Sequence, residues 1–150
     1  EDRPTVVLGA STNPERYAYR AIHRLTAHGH SVHPVGVKKG EVSGVTIQRE
    51  MPASGIHTVT LYLGPVLQKE WHERILALKP ERIIFNPGTE DPAFQQRAEK
   101  MGIEVVEGCT LVMLALVSID RAVGEVFCEG EGMPRKDQVL YHLLVVSMDR

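Results

Sequence analysis

Gly9, Ala10, Ser11, Thr12 and Arg16 are the residues whose types and spacing best suit the holding of an anion. They lie in Gly9-Ala10-Ser11-Thr12-Asn13-Pro14-Glu15-Arg16, directly behind the apolar run Thr5-Val6-Val7-Leu8. A strand, a small-residue turn and a helix start together offer unpaired N–H groups and a positive dipole end to a phosphate. Glycine suits such a turn because a backbone approaching a phosphate leaves no room for a Cβ. Asn13 suits an N-cap and Pro14 the first helical position, so a helix is expected from near Pro14. Ser11 and Thr12 add hydroxyls. Arg16 adds a cation that opposes the macrodipole unless an anion joins it. The same Gly and Ser also serve turn geometry alone in many βα connections. The stretch is not a Gly-Lys-Ser/Thr phosphate loop, and Ser11 and Pro14 stand where a dinucleotide fingerprint has its second and third glycines.

Lys38 and Lys39 are the next chemical signal. An NAD site places Asp or Glu after the second strand, against the ribose diol, whereas this chain has no acid there before Glu41. A cation suits a phosphate on an adenosine ribose, which NADP carries at 2′ and coenzyme A (CoA) at 3′. Two lysines in a loop are otherwise ordinary solvated surface. Cys109, in Glu107-Gly108-Cys109-Thr110, is a weak catalytic candidate. Near a ligand thiol it would accept an acyl group or, with an oxidant to take two electrons, form a mixed disulfide, and a helix N-terminus beside it would lower its pKa. A small residue packed in a turn is the plainer reading. None of the seven histidines has an evident strand-end setting with a base and an orienting acid, and no H-x-x-x-H or C-x-x-C spacing suggests a metal.

The elements that must position these residues alternate in type. Strands are expected at Thr5–Leu8, Ser31–Val37, His57–Leu63, Arg82–Phe85 and Ile103–Val106, although Pro34 weakens regular pairing in the second. Helices are expected over Arg16–His28, Val66–Leu78 and Asp91–Met101. The second of these has Val66, Leu67, Trp71, Ile75 and Leu78 as its apolar face. Val45–Ile47 reads as a short strand or an extended segment. Alternation of this kind implies a parallel sheet covered on both faces, with right-handed crossovers and ligands beyond the carboxyl ends of the strands. Leu111–Val117 reads as a short helix or strand, Val123–Cys128 as a strand, and Lys136–Met148 as a helix or strand.

At 150 residues, 43% hydrophobic and 24% charged, the chain fits one globular domain. A net charge of −2 disfavours general nucleic-acid binding. No apolar run approaches the roughly 18–20 residues of a membrane span, and no signal peptide is visible. The two cysteines, Cys109 and Cys128, read as reduced thiols in a cytoplasmic protein.

From about Val6 to Thr110 the chain resembles the small, stand-alone CoA-binding domain proteins, which are similar to the nucleotide-binding domain of the succinyl-CoA synthetase α-subunit. The matching pieces are Val7-Leu8-Gly9-Ala10-Ser11 with Asn13-Pro14 and Arg16-Tyr17, His33-Pro34-Val35 running into Lys39-Gly40, and Gly44-Val45. Tyr62-Leu63-Gly64-Pro65, Asn86-Pro87-Gly88 and Gly102–Val106 with Cys109 complete them. The resemblance implies an α/β fold: a Rossmann-like, doubly wound parallel sheet in three layers, α/β/α. It implies CoA or an acyl-CoA as ligand, with Gly9, Ala10, Ser11, Thr12 and Arg16 at the pyrophosphate and Lys39 at the 3′-phosphate. Val35 and Val37 would flank adenine and ribose, Leu63 and Pro65 would line the adenine side, and Pro87 and Gly88 would sit near the pantetheine path. Val37 stands where the ligase family more often has Pro. The ligases use a phosphorylated His from a second domain, which this chain is too short to contain, so a binding module without catalysis is expected. An NADP-binding protein is the alternative, as is thiol or acyl chemistry at Cys109. The CoA-binding domain is expected over residues 1–116, with 117–150 an extension of open role: sheet-edge cover, homodimer contact or partner surface.

Overall fold

The computed structural model describes residues 2–116. Its strands are β1 (Thr5–Leu8), β2 (Val32–Val35), β3 (Glu41–Val42), β4 (Val45–Thr46), β5 (Thr58–Leu61), β6 (Arg82–Phe85) and β7 (Glu104–Glu107). Its helices are α1 (Tyr17–Ala27), α2 (Pro65–Gln68), α3 (His72–Leu78), α4 (Pro92–Lys100) and α5 (Thr110–Leu116), with a 3-10 turn at Lys69–Trp71 between α2 and α3. Five strands form one parallel sheet in the order β2-β1-β5-β6-β7. Every residue of β1, β5 and β6 is buried, which is why these strands read as short runs of apolar and β-branched residues without alternation.

Alternate strand residues serve the two faces. Val7 packs with Ala18, Ile22 and Leu25 of α1 and with Leu114 of α5. Val6, Leu8, Val59, Leu61, Ile83 and Phe85 pack with Ile75 and Leu76 of α3 and with Phe94 and Ala98 of α4. The fold is therefore a Rossmann-like α/β arrangement with helices on both faces. From β1 the chain moves outward to β2, then returns past β1 to β5. The carboxyl ends of β1 and β5 thus flank a topological switch point.

Three local expectations are corrected, and a fourth, the short strand at Val45–Ile47, is found as β4. First, α1 starts at Tyr17 rather than near Pro14, and its N-cap is Arg16 (φ −82°, ψ 140°). The Asn13 side chain instead accepts from the Glu15 N–H at 3.0 Å, and the Asn13 carbonyl accepts from the Arg16 N–H at 3.0 Å. Asn13 and Pro14 build a tight turn ahead of the helix. Second, Val66–Leu78 is not one helix. Val66 and Leu67 are 84% and 64% exposed, while Gln68, Trp71, His72, Ile75 and Leu76 face inward. Third, Pro34 does sit within β2, paired with Val7, but β2 is the end strand of the five, where a missing N–H is tolerated. The Pro34 carbonyl is used instead, accepting from Gln48 N at 2.9 Å. Fourth, the basic loop after β2 leads into a β3–β4 hairpin. Its turn residues Ser43 and Gly44 both have positive φ, the pattern that suits a two-residue hairpin turn. Leu111 lies in the helix α5, and the expectations for residues 117–150 fall outside the described residues.

Candidate ligand-binding site

Three strand exits are locked together at the switch point. Gly9 ends β1 with φ +95°, and a Cβ there would stand 3.1 Å from both the Leu63 side chain and the Tyr62 backbone carbon. The glycine is thus demanded by the β5 exit, whatever approaches from outside. Gly36 is the matching close approach on the β2 side, where a Cβ would lie 2.7 Å from the Ala10 carbonyl oxygen. The Val35 carbonyl accepts from both the Gly9 and Ala10 N–H groups, at 2.9 and 3.0 Å, and Tyr62 N donates to the Leu8 carbonyl at 2.9 Å. The amides of Gly9 and Ala10 are therefore spent inside the fold. Those of Ser11 and Thr12 make no backbone hydrogen bond among the described residues. The Ser11 hydroxyl oxygen accepts from Asn13 N at 3.1 Å, which leaves its proton to donate outward.

Between these exits lies a cavity of about 200 Å³. Gly9, Ala10, Ser11, Val35, Val37 and Leu63, all candidates from the sequence, line it together. Leu8, Gly36, Lys38 and Trp71 complete the wall; of these four only Lys38 stands out in the sequence, as a cation for a ribose phosphate. Thr12, Arg16 and Lys39 are exposed and lie outside the wall. A Cβ on Gly40 would overlap the Thr12 methyl, so the loops after β1 and β2 touch one residue beyond Lys39. Pro65 opens α2, while Pro87 and Gly88 lie in the turn after β6; none of the three lines the cavity. Pro65 instead lines a neighbouring open groove with Lys69, His72 and residues of α4.

Beneath the β5 and β6 exits runs a buried polar network. Asn86 is 2% exposed, and its Nδ2 donates to Thr60 Oγ1 at 2.7 Å and to the Leu61 carbonyl at 2.8 Å. Its Oδ1 accepts from Thr110 N, the first residue of α5, at 2.9 Å. The Thr60 and Thr110 hydroxyls meet at 2.8 Å, and Thr89 Oγ1 donates to the Asn86 carbonyl at 2.7 Å. The Cys109 thiol is fully buried beside this network. Burial pushes its pKa up, outweighing the amides of Val112 and Leu111 that favour the thiolate. The lowering expected from a helix N-terminus is thus overcome by desolvation, and a thiol rather than a thiolate stands here.

His72 stacks on Phe94 with ring centroids 3.7 Å apart, and its Nε2 is 2.8 Å from Gln68 Oε1. Burial holds this imidazole below the usual histidine range; Asp91 and Glu73 pull it back up, and Arg97 and Lys69 add to the depression. A depressed histidine takes its proton more readily in the unfolded chain, so its contribution to stability falls as pH drops below about 6.5. The thermal midpoint of the wild type is expected to fall between pH 7.5 and 5.5 more steeply than that of His72→Phe. Parallel curves for the two proteins would contradict this.

Fold and site define an open parallel α/β protein with a crevice at its switch point, bounded by a glycine turn, an apolar slot and Lys38. A family model described as a CoA binding domain matches residues 3–115, and the chain belongs to that family. Among solved structures, the chain is similar to an uncharacterized protein at 50% identity, with a TM-score of 0.76, over 79% of this chain and 98% of that one. It is also similar to the PH1109 protein redesigned for binding, at 24% identity and a TM-score of 0.69, over 83% and 87% of the two chains. A hypothetical protein from Pyrococcus horikoshii OT3 matches at 28% identity and a TM-score of 0.62, over 68% and 73%. No curated protein matches the chain. Among the described residues no helix is long and apolar enough to cross a membrane, and no cluster of His, Cys, Asp and Glu could hold a metal ion.

Proposed function

We propose that this chain binds CoA or an acyl-CoA in the switch-point cavity and does so as a module without chemistry of its own. The observation that carries the reading is the convergence of the Gly9–Ser11 turn, the Val35–Val37 strand exit, Lys38 and Leu63 on one cavity. In this reading the uncommitted amides of Ser11 and Thr12, their hydroxyls and Arg16 receive the pyrophosphate. Lys39, with Lys38 beside it, faces the 3′-phosphate. Val35, Val37 and Leu63 enclose the adenine and ribose, with Pro65 at the edge of the adenine side. Pro87 and Gly88 lie along the pantetheine path. The burial of Cys109 supports a module rather than an acyl-transfer enzyme, because it disfavours the thiolate, which is the nucleophile.

The test is calorimetric titration of Arg16→Gln and Lys39→Gln with CoA. Each neutralisation is expected to weaken binding by about 1–3 kcal/mol, the range for hydrogen bonds to charged groups. Wild-type affinity in both variants would remove these two residues from the site.

A further inference from the structure

Gln68 is fully buried, on a helix whose neighbours Val66 and Leu67 face solvent. Packing alone would invert that choice, since a buried amide is costly unless every polar atom is satisfied. Here they are. Nε2 donates to the Leu63 carbonyl at 3.0 Å and to the Thr89 carbonyl at 2.9 Å, and Oε1 lies 2.8 Å from His72 Nε2. The two carbonyls fix the orientation of the amide, because a flipped amide would turn its oxygen toward both. Oε1 must then accept, so His72 carries its proton on Nε2, and the stack on Phe94 holds the ring in place.

The two carbonyls belong to different strand exits. Leu63 is in the β5–α2 loop and also lines the cavity. Thr89 is in the β6–α4 loop, which carries Pro87 and Gly88. One side chain thus ties the β6 loop to the β5 exit, which is itself packed on Gly9. We propose that Gln68 is a positioning residue for ligand binding: it holds the β5 and β6 loops at the separation that admits the pantetheine arm of CoA. This rests on the CoA reading above. Loss of the clamp leaves Leu63 packed against Gly9 and the Tyr62 N–H on the Leu8 carbonyl, so the adenine wall and the phosphate-facing loops keep their places while the β6 loop is released.

The experiment compares CoA with adenosine 3′,5′-bisphosphate, which lacks the pantetheine arm, on the wild type, Gln68→Met and His72→Phe. Methionine keeps the volume and loses both donors. Phenylalanine keeps the stack and removes the donor to Gln68 Oε1. Two lost hydrogen bonds at the clamp are expected to weaken CoA binding by about tenfold in Gln68→Met, with less than about a threefold change for the bisphosphate. His72→Phe is expected to show the same selectivity at about a threefold loss for CoA. Thermal melts establish that each variant is folded at the titration temperature. If Gln68→Met does not fold, the selectivity of His72→Phe decides. Equal weakening of the two ligands, or unchanged CoA affinity in a folded variant, overturns the positioning role. A wild type that binds neither ligand overturns the CoA reading itself, and the inference falls with it.

Discussion

Replacing Asn86 with leucine is expected to cost about 3–5 kcal/mol of stability, through several buried polar groups losing their partner at once. Asn86 satisfies the Leu61 carbonyl, the Thr60 hydroxyl and the Thr110 amide with one carboxamide. Leucine fills the space but answers none of them. The Thr60 and Thr110 hydroxyls retain each other. The Leu61 carbonyl and Thr110 N–H are left buried without this partner, and each such group costs about 1–3 kcal/mol. The thermal midpoint should fall by an amount on the order of 10–20 °C. Asn86→Asp is expected to fall between the two, since it keeps the acceptor for Thr110 N and loses the two donated bonds. A melt of Asn86→Leu within a few degrees of wild type would show that the network is dispensable.

The second large effect is on binding rather than folding. In Gly36→Val the new Cβ lies 2.7 Å from the Ala10 carbonyl oxygen, a backbone atom that yields only if the Gly9–Ser11 turn moves. Overpacking of this kind costs about 1–3 kcal/mol, which a domain of this size survives. The turn that moves carries the Ser11 and Thr12 amides. CoA affinity is therefore expected to drop on the order of 100-fold, close to 3 kcal/mol of lost phosphate hydrogen bonds. Full CoA affinity in folded Gly36→Val would place the ligand away from this turn.

These particulars show what a sequence can carry. The strands were legible because a sheet covered on both faces writes itself as apolar, β-branched runs. Ligand loops at the strand exits followed from strand alternation, whereas a shared site for Gly9, Ser11, Val35 and Leu63 came from the resemblance to the CoA-binding domain proteins. Contacts between residues distant in sequence were not legible. Gly36 is an unremarked glycine until Ala10 is placed against it. Gln68 and His72 are absent from the apolar face read in the sequence, because the carbonyls that satisfy Gln68 lie in two other loops. That pattern misassigned Val66 and Leu67 to the core. Asn13-Pro14 carried a real turn signal, but the local hydrogen bonds of Asn13 end that turn before α1 begins. Cys109 as a small residue packed in a turn, the plainer reading, is borne out by its burial; what the sequence did not show is that this burial outweighs the helix start beside it.

The central claim, that the switch-point crevice takes CoA through its adenosine phosphates, is tested most directly by calorimetric titration with CoA, dephospho-CoA, NADP and NAD under reducing conditions. The account predicts saturable, one-site binding of CoA. That binding should weaken when the 3′-phosphate is absent, by about the 1–3 kcal/mol assigned to a charge-assisted contact. Binding of NADP with none of CoA would contradict it and return the same fold to dinucleotide recognition.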